Sequence, residues 1–133
     1  MSGLGSWFAV GGGAAAGAWL RWGLGSAFNP LFPTLPLGTV AANLIGGLLM
    51  GLAMEVMTRH AMLSPELRLL VTTGFLGGLT TFSTFSAEMT TLLTRGEWLW
   101  ACVGIVVHVA GSLIMTIFGI LLMRAVFAWG GSP

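Results

Sequence analysis

Apolar residues run along this chain in four long stretches, separated by short segments that are polar or rich in proline. The first stretch covers residues 3–27 and ends in LRWGLG. The break after it, FNPLFPTLP, holds Pro30, Pro33 and Pro36, which remove the backbone donors a helix needs. The second covers 37–57 and gives way to the polar connector TRHAMLSPELR. Pro65 there suits the first turn of the next helix, where its missing N–H has no partner to lose. The third covers 66–94, the turn RGEW follows, and the fourth covers 99–127. Trp98, Trp100 and Trp129 flank that last stretch as anchors at the headgroup level. A membrane-spanning helix needs about 20 apolar residues, so the pattern predicts four transmembrane helices in one domain over 1–133. The third is too long: its span would rise about 43 Å against a hydrocarbon core of about 30 Å. TGFLGGLTT stands near its middle. Glycines weaken a helix, and hydroxyls satisfy the backbone groups that a break sets free, so the third helix is expected to be broken there. Irregular backbone at that depth persists only inside protein or beside a wet cavity.

Polar positions within the stretches recur at helical spacing. Thr39, Asn43, Gly47 and Gly51 stand four apart on one face of the second span. Two readings fit: an interhelical hydrogen bond beside a Gly47–Gly51 packing seam, or an amide lining a pathway. Gly13 and Gly17 form a similar seam in the first span, where packing is the reading. The fourth span sets Gly104, His108, Ser112 and Thr116 in line, a face that is either packed or hydrated. In the third, Phe82, Phe85 and Glu88 share a face amid Thr80, Thr81, Ser83 and Thr84. Phenylalanines at that spacing usually pack. These follow the break and are wrapped in hydroxyls, and the positive edge of a phenyl ring can face an anion. Unlike a basic group, it would not hold the ion too tightly to leave. Glu55, Glu66 and Glu97 fall near span ends and read as solvated. Glu88 lies deeper, as a hydrogen-bonded carboxyl or part of a gate. Arg21 closes GAWLRW, either snorkelling to the headgroups or drawing anions into a vestibule.

Composition narrows the class. The chain is 56% hydrophobic and 7% charged, with a mean hydropathy of +0.94, whereas soluble domains are about a quarter charged. That composition predicts an all-α integral membrane protein. A net charge of +1 gives no sign of a nucleic-acid partner, and the single Cys102 excludes an intrachain disulfide. No Lys or Arg precedes the first apolar run, so a retained helix is expected rather than a cleaved signal peptide. His108 has no second His or Cys at ligand spacing and the chain has no Asp, which argues against a transition-metal site. The absence of a G-x-S-x-G elbow and of a third orienting group argues against a Ser/His hydrolase. With four spans both chain ends share one side, which receives Arg59, Arg68 and Arg124, while the other receives Arg21 and Arg95. Arginine bias sets orientation. Three against two fits a single orientation or a dual topology, with chains inserted both ways. Opposite insertion permits an antiparallel homodimer that mimics the inverted repeats of larger transporters.

The segment GFLGGLTTFSTFSAE resembles the signature of the Fluc (CrcB) fluoride channels. GAWLRW in the first span and GTVAANLIGG in the second are similar to that family's other two motifs, in the same order. The resemblance covers nearly the whole chain. It implies a dual-topology antiparallel homodimer in the bacterial inner (plasma) membrane, with two fluoride pores each built by both subunits. These would export cytoplasmic fluoride passively and confer fluoride resistance. By motif position, Phe82 and Phe85 would meet fluoride with their ring edges, Asn43 would donate an amide hydrogen to the ion, and the hydroxyls of Ser83 and Thr84 would lie nearby. Arg21 would line the vestibule, with Thr39, Glu88 and Ser112 along the polar lining. A structural Na+ on the dimer axis would take the backbone carbonyls of Gly77 and Thr80 from each subunit, a hard cation on oxygen ligands. On this reading GFLGG breaks the helix and TTFSTF resumes it.

Fluoride is small and strongly hydrated, so removing its water requires close replacement donors. Neutral HF crosses membranes and dissociates at cytoplasmic pH. A passive pore then lets the inside-negative potential drive the ion out, by about 2.3 kcal/mol per charge per 100 mV. His108 is the part of the polar stripe without a matched family role. Histidine titrates near neutrality, so His108→Ser is expected to flatten any change in fluoride flux between about pH 5.5 and 8. Two other classes compete. A small multidrug transporter is also four-spanning and dual-topology, but needs a buried carboxylate, usually in the first span, where this chain has Arg21 instead. A non-transporting membrane scaffold would use the glycine seams and leave the hydroxyl-wrapped phenylalanines without a purpose.

Overall fold

The computed structural model describes residues 3–131, and all regular structure among them is helical. Helix α1 (Leu4–Phe28) ends in a short 3₁₀ turn at Asn29–Leu31, and α2 (Leu37–Arg59) follows the proline segment. The third stretch is built in pieces: α3 (Pro65–Leu69), a π-helical turn at Leu70–Leu76, α4 (Gly77–Leu79) and α5 (Phe82–Thr94). Helix α6 (Trp98–Gly130) closes the chain. By length and composition α2 and α6 could each cross a membrane.

The order of contacts fixes how these elements run. Gly5 lies by Glu66 and Arg21 by Gly78, so α1 runs parallel to the third stretch. Asn43 meets His108 and Glu55 meets Arg124, so α2 runs parallel to α6. Thr39 meets Glu88 while Asn43 meets Thr81, so α2 and the third stretch are antiparallel. Stretches consecutive in the chain therefore alternate in direction.

Both parallel pairs meet through glycine. A Cβ added at Gly17 would land on the Phe75 carbonyl oxygen, one at Gly13 on that of Leu70, and one at Gly78 on that of Ala14. Between α2 and α6, a Cβ at Gly51 would strike the Thr116 carbonyl oxygen and one at Gly119 that of Leu48. Backbones approach this closely only where side chains are missing, which is how helices associate when lipid removes the hydrophobic drive between them. Gly51→Val is therefore expected to force α2 from α6 and cost about 1–3 kcal/mol of packing. Its thermal midpoint in detergent should fall. An unchanged midpoint would mean that the seam tolerates side chains.

The interruption of the third stretch falls elsewhere than the glycines suggest. Gly77 is helical (φ −62°, ψ −37°), whereas Thr80 (ψ 152°) and Thr81 (φ −146°, ψ 115°) are extended. GFLGG therefore does not break the helix; the two threonines do. β-Branched residues suit extended backbone, and Thr81 starts α5 as its N-cap, accepting from the Thr84 N–H at 3.1 Å. Gly74 and Gly78 serve instead as the flat face against α1. The π-helical turn that contains Gly74 carries an extra residue per turn, an irregularity often found near functional sites.

Side chains also cap the starts of α2 and α3. The Asn29 Oδ1 accepts from the N–H groups of Gly38 (2.8 Å) and Thr39 (3.2 Å), capping α2 from across the proline segment. Ser64 caps α3. Arg68 reaches back to the carbonyls of Met57, His60 and Ala61 at the end of α2.

Candidate functional site

The Thr80–Thr81 break would leave backbone polar groups unpaired in the middle of the fold, and side chains from α1 and α2 fill them. The Asn43 Oδ1 accepts from the Thr81 N–H at 2.8 Å, while its Nδ2 donates to the Thr81 carbonyl at 3.1 Å. One amide thus replaces both ladder partners of one residue, and this two-way clamp fixes which way the amide faces. From α1, the Arg21 Nε donates to the Gly78 carbonyl at 3.0 Å. In an unbroken helix the N–H groups of Thr81 and Thr84 would fill the carbonyls of Gly77 and Thr80. Here Thr81 N–H goes to Asn43 and Thr84 N–H to the Thr81 hydroxyl.

Asn43 has a further partner: its Nδ2 lies 2.9 Å from the His108 Nδ1. An amide N–H can only donate, so Nδ1 is the acceptor and the ring proton sits on Nε2. Both amide hydrogens of Asn43 are therefore engaged inside the fold, and the residue can donate to an ion only by releasing one. The His108 ring is 4% exposed and its Nε2 has no partner among the described residues. It packs on Phe85 at 4.7 Å between centroids, and Phe85 meets Phe82 edge-on at 5.4 Å and 64°. The two phenylalanines differ in setting, Phe85 being 7% exposed and Phe82 76%. Asn43, Phe82, Phe85, His108 and Ser112 line one cavity of about 480 Å³.

The hydroxyls form a second group. Thr81 donates to Thr84 (3.0 Å) and lies 3.3 Å from the Ser83 hydroxyl. Thr84 faces two smaller cavities: one of about 350 Å³ with Arg21, Asn29 and Thr39, the other of about 360 Å³ with Glu88 and Arg95. Between these, the Thr39 hydroxyl donates to the Glu88 Oε1 at 2.6 Å, while Oε2 is buried without a partner among the described residues. Ser112 and Thr116 turn toward α2, donating to the carbonyls of Asn43 (3.5 Å) and Gly47 (3.0 Å).

The predicted residues thus fall into three places. Asn43, Phe85, His108 and Ser112 meet at the break, Thr39 pairs with Glu88, and Arg21 holds the carbonyl beside Gly77. Thr81 is the residue the reading undervalued, as both clamped residue and cap. Its signal was the doubled threonine before a helical run. Asn29 was also missed, although Asn before Pro marks a turn. Glu55 is not the solvated carboxylate expected: it is 7% exposed and accepts from Arg59 and Arg124, each at 2.9 Å. The four-residue spacing from Glu55 to Arg59 was the available clue.

The geometry makes the pH test of His108 directional. Protonating the ring puts an N–H on Nδ1 facing the Asn43 N–H, donor against donor, so the contact opens and positive charge appears beside the cavity. Any rise in fluoride efflux from this source is expected toward the acid end of a range from about pH 8 to 5.5, with His108→Ser flat across it. Vesicles without protein give the background carried by HF. A wild-type slope retained in the serine variant would remove His108 as its source.

Comparison with known proteins agrees over most of the length. A family profile described as CrcB-like protein, Camphor Resistance (CrcB), matches residues 8–120. The fluoride-specific ion channel FluC of Nitrosospira multiformis is 61% identical over 116 residues, which cover 87% of this chain and 91% of that protein. The protein of the same description from Aromatoleum aromaticum is 57% identical over 128 residues, covering 96% and 95%. That from Tolumonas auensis is 61% identical over 111 residues, covering 84% and 87%.

Proposed function

From the premise that this chain belongs to the CrcB family, we infer that it is a fluoride-specific ion channel of a bacterial inner membrane. It is a membrane protein of a channel family, not of an enzyme family. The observation that carries the reading is the site at the break. Hydroxyls, an imidazole N–H and two phenyl rings surround one cavity, and Arg21 sits one cavity away. A dehydrating fluoride needs several close donors, and it must still be able to leave. Neutral hydroxyls and ring edges meet both demands.

Four spans follow from the alternating stretches, with α1 and the interrupted third stretch carried by their close pairing. The ion path runs from the Arg21 cavity past Thr84 to Thr39 and Glu88 on one side, and along Ser83, Phe82 and Phe85 toward His108 and Ser112 on the other. The Thr39 hydroxyl holds the Glu88 carboxyl in place through Oε1. Export is passive: the membrane potential supplies about 2.3 kcal/mol per charge per 100 mV.

An antiparallel homodimer, inserted both ways, completes the site. Phe82, Val109 and Leu113 line the 480 Å³ cavity and are exposed on this chain. A second copy covering that face would bury them and bring a second phenyl edge to each pore. The three-to-two arginine split is compatible with both insertions. A structural Na+ fits the donor set at the break. The carbonyls of Gly77 and Thr80 lose the amides that would fill them in a helix, and unshared carbonyls suit a hard cation. When bound, the ion would supply fixed positive charge that ties the interrupted segments together. Arg21 from α1 and Asn43 from α2 hold the same segments, at the Gly78 carbonyl and at Thr81.

The deciding experiment is fluoride efflux from liposomes containing the purified protein, with a potassium ionophore to clamp voltage and chloride run in parallel. Fast fluoride efflux with negligible chloride efflux is expected. A folded protein that passes neither ion would end the channel reading, and proton-coupled drug exchange would be tested next.

A further inference from the structure

The ends of α2 and α6 carry a charged cluster that the ion path does not use. Glu55 is buried and holds two arginines, Arg59 through Nε to Oε1 and Arg124 through Nε to Oε2. Each guanidinium has five donors in a planar fork, and each gives only its Nε to the carboxylate. The terminal nitrogens of both forks have no acceptor among the described residues, and the two side chains are 46% and 59% exposed. Arg59 is further pinned by Phe127, whose ring centroid lies 4.8 Å from its guanidinium carbon, and His60 packs against the same ring at 5.7 Å. Two fixed forks on one carboxylate leave the cluster with a net charge of +1. The neighbouring Arg68 is engaged with the carbonyls at the end of α2 and adds no fork of its own.

We propose that Arg59 and Arg124, oriented by Glu55, form a site for the phosphate of an anionic phospholipid headgroup. Paired forks match phosphate oxygens, and pre-oriented arginines lose less freedom on binding than lone ones. The level is right for a headgroup: the cluster lies at the ends of two long apolar helices, two residues before the exposed indole of Trp129 on α6 for Phe127, and such indoles sit at the membrane interface. Glu55 has a positioning role. It fixes both forks and leaves one net positive charge for the lipid. The proposal rests on the chain's being a membrane protein and is independent of which ion passes.

The test measures lipid retention on the purified full-length protein by native mass spectrometry, with phosphatidylglycerol and phosphatidylcholine offered separately. A parallel thermal-shift titration uses the same lipids and inorganic phosphate. Phosphatidylglycerol should be retained and raise the melting temperature, phosphatidylcholine should do neither, and salt should weaken the effect. Arg124→Gln should lower phosphatidylglycerol affinity about tenfold. It leaves the Arg59–Glu55 pair to keep the carboxylate neutralised, so folding is preserved. Arg124→Lys, which keeps the charge and loses the fork, should recover only part. Fluoride efflux from neutral-lipid vesicles, measured on the same samples, reports the channel separately. Equal retention of both lipids, full affinity in Arg124→Gln, or a shift produced by inorganic phosphate at the same concentrations would each overturn the lipid assignment.

Discussion

Fluoride efflux through a Phe82→Ile/Phe85→Ile variant is expected to fall about thirtyfold, with the protein still folded. The number follows from the ring edges. An aromatic quadrupole contact contributes about 1 kcal/mol beyond area burial, and isoleucine fills similar space without the positive edge. Losing two such contacts raises the barrier by about 2 kcal/mol, or about thirtyfold in rate. The structure also says how the single variants should differ. Phe85 is buried against His108, so Phe85→Ile loses that ring contact and lowers thermal stability as well as flux. Phe82 is exposed on this chain, so Phe82→Ile should leave stability nearly untouched unless a second copy covers it. Efflux from voltage-clamped liposomes, with melting curves on the same preparations, separates these outcomes. A double variant conducting at the wild-type rate would remove the rings from the pathway.

The second large effect is at Asn43. Asn43→Ala removes both partners of Thr81 at once, leaving a buried N–H and a buried C=O unsatisfied. Each such group costs about 1–3 kcal/mol, and the Nδ1 of His108 loses its donor as well. A loss of about 3 kcal/mol would move the melting midpoint by roughly 10 °C for a chain of this size. If Asn43 instead acted only by donating to the ion, flux would fall and the midpoint would stay. Melting in detergent therefore decides between the clamp and the ion ligand.

Much of the architecture was legible in periodicity and punctuation. Proline clusters and the RGEW turn separated the four stretches, and four-residue spacing placed Asn43, Gly47 and Gly51 on the face that meets α6. The break was legible in kind and lies within TGFLGGLTT, at its threonine end rather than at its glycines. Glycine's weak helix propensity pointed to GFLGG, but helix packing used those glycines for close approach to α1, and local preference moved the break to the threonines. Propensity is a weak prior where tertiary contact decides. The pairing of Thr39 with Glu88 could not be read from either helix alone, since it depends on how far one slides along the other. The burial of Glu55 was hidden for the same reason: Arg124 lies sixty-nine positions away in sequence and one side chain away in space.

The Thr80–Thr81 break also bears on how the chain is made. In lipid an interrupted helix exposes backbone groups that nothing nearby can satisfy, so this third stretch is poorly stable by itself. Its two outside supports, Arg21 and Asn43, both precede it in the chain. Synthesis runs from the N-terminus, so α1 and α2 are already in the bilayer when the threonines arrive. A chain that reversed this order would leave the break unsupported for as long as translation took to reach them.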